Sequence, residues 1–182
     1  TRFRNVTGVQ TCALPILVQQ GTLSVMVGGR RETFDRIAPL LGDLGSSVTY
    51  VGDNGLAVAM KIAINVSVAA QMIAFSEGIL LAERHGVPRA AAVDLLLKSA
   101  LASPMLKYRG PFLLQRPETV WFDVTLMQKD LRLATEMATE AGVPLPSAAM
   151  AAEVMAAAQA MGLGGEDIAI AFEVLARQSR TA

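Results

Sequence analysis

A lysine and an asparagine stand four residues apart in an otherwise apolar stretch of this 182-residue chain, as Lys61 and Asn65. If the stretch is helical, residues at this spacing lie on one face, so the two side chains share one small site. An ammonium and an amide together can hold and polarise a carbonyl or hydroxyl oxygen, and a partly desolvated lysine exchanges protons more readily near neutral pH. The spacing is also compatible with a lysine that extends from the edge of an amphipathic helix, beside a chance polar neighbour.

A second polar pair, Lys129 and Asp130, lies in the segment FDVTLMQKDLRLA. Together with the segment GDNGLAVAMKIAIN, it resembles the C-terminal half of the β-hydroxyacid dehydrogenases, the family of 3-hydroxyisobutyrate dehydrogenase and tartronate semialdehyde reductase. The similarity extends from near Gly21 to the end of the chain. The matching residues are Gly52, Gly55, Lys61, Asn65, Phe122, Leu126, Lys129, Asp130, Leu131 and Ala134.

This resemblance implies a role for each matching polar residue. Lys61 matches the family's general acid–base lysine, and Asn65 matches its substrate-binding asparagine. Lys129 matches a lysine that contacts the nicotinamide cofactor. Phe122 and Asp130 match positions that line the same pocket, so we expect both to bind substrate.

The cofactor that the resemblance implies is NAD or NADP, with Gly55 close to it. Dinucleotide binding of this type requires a glycine-rich turn, yet no G-x-G-x-x-G occurs in the chain, and Gly28-Gly29 is typical of an ordinary strand-to-helix turn. Residues Val6 to Ile16 look like a translated sequencing adapter. We therefore expect residues 1–16 to be a non-native segment, the phosphate-binding loop to be absent, and this chain to be inactive on its own.

Hydrophobic periodicity predicts a mainly α fold. A strand over 22–27, a helix over 33–44 and a strand over 47–51 form a β-α-β remnant of a Rossmann domain, assigned to residues 17–51. After Gly52 the pattern is helical throughout, apart from an irregular stretch over 110–121. Residues 52–182 are thus expected to form an all-helical substrate and dimerisation domain, similar to the C-terminal domain of 6-phosphogluconate dehydrogenase. Its last helices are predicted over 123–140, 147–161 and 166–177.

The stretch from Leu56 to Ala82 is long and apolar enough to cross a membrane. It contains Lys61 and Glu77, however, and a charged group near a bilayer centre costs about 2.5–3.5 kcal/mol. We therefore expect a long central helix in a cytoplasmic protein, without a membrane contact. A helix of this length projects from a small domain or is shared between subunits.

Composition narrows the range of partners. Lys and Arg number 16 against 16 for Asp and Glu, so no net charge attracts nucleic acid. One cysteine and one histidine cannot supply the usual ligands of a zinc or haem site, so no metal is expected. A hydrophobic content of 52% would leave apolar patches exposed in a monomer, which predicts a homodimer or a higher homo-oligomer.

Two functions follow from these observations. The first is reversible hydride transfer between a nicotinamide cofactor and a small 3-hydroxy acid or semialdehyde. Val68 stands where the related 6-phosphogluconate dehydrogenases have a glutamate, which argues against a sugar-phosphate substrate. The alternative is a non-catalytic helical oligomerisation domain that contributes half an active site.

Overall fold

A computed structural model of the protein describes residues 9–11 and 23–179. The chain forms two compact units, which divide between Ile64 and Asn65. The expected division into a non-native segment, a dinucleotide-binding remnant and a helical domain stays a prediction. Of the segment 1–16, only residues 9–11 are among those described.

The first unit contains a small sheet and one helix. Its strands are β1 (Val9–Thr11), β2 (Ser24–Gly28) and β3 (Ser47–Gly52), in that spatial order. Helix α1 (Arg31–Gly42) joins β2 to β3, which are parallel, whereas β1 pairs antiparallel with β2. The predicted β-α-β unit is therefore confirmed, and β1 is an addition that the periodicity did not indicate.

The core of this first unit explains why α1 packs on the sheet. Val25 and Val27 of β2 are 1% and 4% exposed, as expected for a strand in a parallel sheet that a helix covers. Leu41 is buried with them, and Phe34 and Ile37 of α1 pack against the same cluster. The spacing of these three α1 residues places them on one face of the helix.

Helix α2 (Leu56–Arg84) is the predicted long central helix, and its 29 residues extend about 44 Å. It follows Gly55, whose φ of +96° is a conformation that favours glycine. Among the described helices it alone is long and apolar enough to cross a membrane by length and composition. Its second half instead buries Met72, Ile73 and Ile79 completely in the core of the second unit.

The second unit is helical, which confirms the predicted fold class. Beyond the second half of α2, its helices are α3 (Arg89–Lys98), α4 (Pro104–Arg109), α5 (Val124–Ala141), α6 (Pro146–Ala160) and α7 (Ala171–Gln178). Helix α6 packs against both α5 and α7, and three of its alanines are fully buried. Small side chains at these positions allow the helices to approach closely.

Two short 3-10 helices differ from the sequence predictions. Gly110–Leu113 is helical where the prediction was an irregular stretch, and Ile168–Ile170 is a 3-10 turn where a continuous α-helix from residue 166 was predicted. The second difference has a local cause. The carboxylate of Asp167 accepts a hydrogen bond from the Ala169 N–H at 3.1 Å, which closes a tight turn before α7 begins.

Candidate functional site

A buried hydrogen bond joins α2 to α5. Asn65 donates from Nδ2 to Oδ2 of Asp130 at 2.6 Å. The two residues are 8% and 4% exposed. Because the acceptor is a carboxylate, this is a charge-assisted bond, about twice as strong as a neutral one.

Lys129 completes this arrangement from the surface. Its Nζ lies 3.3 Å from Oδ1 of Asp130, and its side chain is 49% exposed while that of Asp130 is 4% exposed. A buried carboxylate is costly unless it is paired and hydrogen-bonded, and Asp130 has a partner at each oxygen. The structure therefore brings together three of the predicted site residues, Asn65, Lys129 and Asp130.

The sequence of α5 explains this placement. Asp123 caps the helix, since its Oδ1 accepts from the Leu126 N–H at 2.6 Å. Buried residues recur at helical spacing on one face, so the carboxylate of Asp130 lies inside while Lys129 reaches solvent. The buried face consists of Val124, Met127, Asp130, Leu131 and Ala134.

The Lys129 side chain also lines an open groove of about 580 Å³ between α5 and α6. Arg132 and Gln128 of α5 line the same groove, with Glu153 and Gln159 from α6. Lys129 thus has a partner in the protein interior and an exposed part that charged ligands can approach.

Lys61 and Gly55 belong to the first unit. Lys61 lies on α2, one turn before Asn65, and is partly buried. A Cβ added at Gly55 would meet no atom within 4 Å, so the space beside the N-terminus of α2 is open. Helix N-termini favour anions such as phosphate groups. The open space beside Gly55 therefore leaves room for the cofactor contact predicted there. The roles of both residues stay predictions.

Phe122 is held by a different contact. It lies eight residues before Asp130 and two residues before the start of α5. Its N–H, and that of Trp121, donate to Oδ2 of Asp167 at 3.2 and 3.3 Å. Its side chain is partly buried against the hydrophobic core. Phe122 thus lies just before the first turn of α5, and its expected place in the substrate pocket stays a prediction.

Asp167 and Arg109 form a buried ion pair that the sequence predictions missed. Nε of Arg109 lies 2.9 Å from Oδ1 of Asp167 and Nη2 lies 3.4 Å from Oδ2, and both side chains are 2% exposed. Asp167 stands directly before the apolar run IAIAF, which is the typical position of a helix cap and was a detectable signal. Arg109 had no such signal, because its partner lies 58 residues away in sequence.

Two family models match the chain. The model of the NAD-binding domain of NADP-dependent 3-hydroxyisobutyrate dehydrogenase matches residues 55–175. The model of the NAD binding domain of 6-phosphogluconate dehydrogenase matches residues 15–52. The chain therefore belongs to the 3-hydroxyisobutyrate dehydrogenase family of β-hydroxyacid dehydrogenases, as the resemblance indicated. Because both models are described as NAD-binding, the predicted cofactor, NAD or NADP, is also confirmed.

Individual relatives agree with this family. The chain is 34% identical to 2-hydroxy-3-oxopropionate reductase of Escherichia coli K12, over 79% of this chain and 49% of that protein. It is 32% identical to the chloroplastic glyoxylate/succinic semialdehyde reductase 2 of Arabidopsis thaliana, over 90% of this chain and 46% of that protein. The crystal structure of 3-hydroxyisobutyrate dehydrogenase from Salmonella typhimurium matches with a TM-score of 0.84 at 26% identity, over 92% of this chain and 59% of the other. The chain spans about half the length of the curated relatives it matches.

Removing the Asp167 carboxylate should strongly destabilise the helical unit. Arg109 would remain as an unpaired buried charge, and the N–H groups of Trp121, Phe122 and Ala169 would lose their acceptor. We expect Asp167→Ala to lower the free energy of unfolding by about 3–5 kcal/mol. Urea denaturation followed by circular dichroism measures this loss.

Glu173→Ala is the matched control. Glu173 binds Arg116 through both carboxylate oxygens, but the two side chains are 36% and 47% exposed. The hydrogen bond with Glu173 raises the pKa of the Arg116 guanidinium, so Arg116 stays charged. An exposed ion pair contributes only about 0–1 kcal/mol, so the control should lose little stability. Equal losses in the two variants would contradict the role assigned to Asp167.

Proposed function

We propose that this chain is the C-terminal part of an NAD(P)-dependent β-hydroxyacid dehydrogenase of the 3-hydroxyisobutyrate dehydrogenase type. Its reaction is reversible hydride transfer between the nicotinamide cofactor and a small 3-hydroxy acid or semialdehyde. The observation that carries this proposal is the buried contact of Asn65, Asp130 and Lys129, inside the segment that the family model matches. The names of the Escherichia coli and Arabidopsis relatives, both reductases of small oxo acids, support the substrate class.

In this proposal each site residue has a separate task. Lys61 takes the hydroxyl proton during oxidation and returns it during reduction, as a general base and acid. Asn65 orients the substrate by hydrogen bonding, and Phe122 lines the pocket together with Asp130. When bound, the nicotinamide accepts or donates the hydride.

Two residues are suited to hold the cofactor. Gly55 leaves open space beside the N-terminus of α2, where backbone N–H groups favour negative charge. The side chain of Lys129 is 49% exposed although it is paired with Asp130, so it can also approach an anionic ligand. Each feature by itself suits an anionic group of a dinucleotide, and neither distinguishes NAD from NADP, which depends on a residue near the ribose.

Replacement of Lys61 tests the reaction in the full-length protein that contains this segment. General acid–base catalysis contributes about 10²–10⁴-fold, so Lys61→Ala should lower kcat by at least about 100-fold and leave the unfolding midpoint unchanged. Lys107→Ala, at an exposed lysine on α4, is the control and should keep full turnover. Retained turnover in the Lys61 variant would refute the acid–base assignment.

The second candidate function is that this chain, by itself, is a non-catalytic helical assembly domain that contributes half an active site. It is favoured by the absence of a G-x-G-x-x-G sequence from the chain. Titration with NADH and NADPH, followed by nicotinamide fluorescence, should then give no saturable signal. The full-length protein that contains this segment serves as the positive control. Saturable binding by this chain would contradict the assembly-domain assignment.

We propose that the helical unit forms a homo-oligomer, in which its partner is a second copy of this chain. Along α2, Ser67, Ala74 and Leu81 are exposed at intervals of seven residues, which is the repeat by which two helices pack along a seam. Leu81 is 64% exposed, and only 33% of the most apolar 18-residue segment of α2 is buried within the chain. A second copy that packs along this seam would cover the exposed apolar surface.

Light scattering at micromolar concentration tests this assembly. The unmodified chain should have at least twice the 19.2 kDa mass of one copy. Ala74→Arg should lower the measured mass to that of a monomer, because it places a charge in the seam, whereas Glu140→Arg at the exposed end of α5 should leave it unchanged. A monomeric mass for the unmodified chain would overturn the proposal.

A further inference from the structure

The Asn65 amide can stand in only one orientation. The two ends of an amide have nearly the same shape, but one end donates hydrogen bonds and the other accepts them. An ionised carboxylate only accepts, and Lys129 provides its countercharge. If the amide turned over, its oxygen would lie against Oδ2 of Asp130 at the 2.6 Å now occupied by Nδ2, with two acceptors facing each other. Asp130 therefore determines which way the Asn65 amide faces.

We propose that Asp130 is a positioning residue that acts on the substrate through Asn65. This inference rests on the proposed function and makes it more specific. Both oxygens of Asp130 are already engaged, by Asn65 and by Lys129, and the residue is 4% exposed. Such a carboxylate can line the pocket and act on the substrate through the neighbours that it holds.

The fixed amide also has a consequence for the ligand. With one N–H of Nδ2 held by Asp130, Asn65 keeps its second Nδ2–H as a donor for a ligand. This donor can bind the oxygen of either the hydroxy acid or the semialdehyde, so the hydroxyl proton remains for Lys61 to take.

Asp130→Asn isolates this effect from helix packing. An asparagine has nearly the same volume as aspartate, and its side chain can either accept from Asn65 or donate to it. The hydrogen bond between α2 and α5 is therefore retained in both orientations, while the orientation of Asn65 is no longer fixed. Asp94→Asn removes an exposed carboxylate that pairs with Lys98 on α3 and is the matched control.

The first measurement uses this chain without substrate or cofactor. NMR spectroscopy of the side-chain amide protons should show an Asn65 proton that exchanges with water at least ten times more slowly than those of the exposed Asn54. Asp130→Asn should lower this protection, because Asn65 then donates in only one of the two orientations, and Asp94→Asn should keep it. Protection unchanged in Asp130→Asn would overturn the proposal, whether or not the protein is a dehydrogenase.

The second measurement is made in the full-length protein. Asp130→Asn should lower kcat/KM for the hydroxy acid at least tenfold and shift the unfolding midpoint little. The exchanged pair N65D/D130N keeps a carboxylate and an amide in contact, so it should recover the stability that N65D loses but not the turnover. Turnover that recovers together with stability would show that the contact only holds the helices together, and would overturn the positioning role.

If the full-length protein shows no dehydrogenase turnover, the proton-exchange result still decides whether Asp130 holds Asn65. If Lys61 is required for turnover but Asp130→Asn keeps full kcat/KM, the proposed function stands and the positioning role fails. The two failures are therefore distinguishable.

Discussion

The structure of the helical unit depends on a carboxylate that is buried between two helices. Asp130 lies on the apolar face of α5, where an unpaired charge would be strongly destabilising. It is tolerated because the Asn65 amide on α2 donates to one oxygen and the Lys129 ammonium lies beside the other. A hydrogen bond has a direction, so this contact also fixes how α2 and α5 present their polar groups, which apolar packing alone does not do.

A second buried polar centre supports the start of α5. Asp167 holds the backbone at Trp121 and Phe122, and it is itself paired with Arg109 in the interior. The chain therefore enters α5 from a position that the hydrogen bonds at Asp167 determine, and the Asp123 cap begins the helix one residue later. The two centres define the position of the segment that the resemblance identified as functional.

Sequence periodicity predicted the main elements but not their polar contacts. Apolar residues at helical or strand spacing are a local signal, so the long helix, the β-α-β unit and α5 were found within a few residues of their bounds. The pairing of Arg109 with Asp167 joins residues 58 positions apart, and no local pattern encodes it. The 3-10 turn at Ile168–Ile170 was missed although its cap is local, because an aspartate before an apolar run indicates the start of a helix but not whether its first turn is 3-10 or α. The family resemblance implied that Asn65 and Lys129 lie close together. The hydrogen bond from Asn65 to Asp130, which links them, is evident only in the structure.

A double-mutant cycle at Asn65 and Asp130 tests the central interaction most directly. The free energy of unfolding is measured for the unmodified chain, Asn65→Ala, Asp130→Ala and the double variant. A buried hydrogen bond to a charged group contributes about 1.5–3 kcal/mol, so we expect a coupling energy of that size between the two residues. Additive losses, with a coupling energy near zero, would show that the two side chains do not bind each other and would contradict the account.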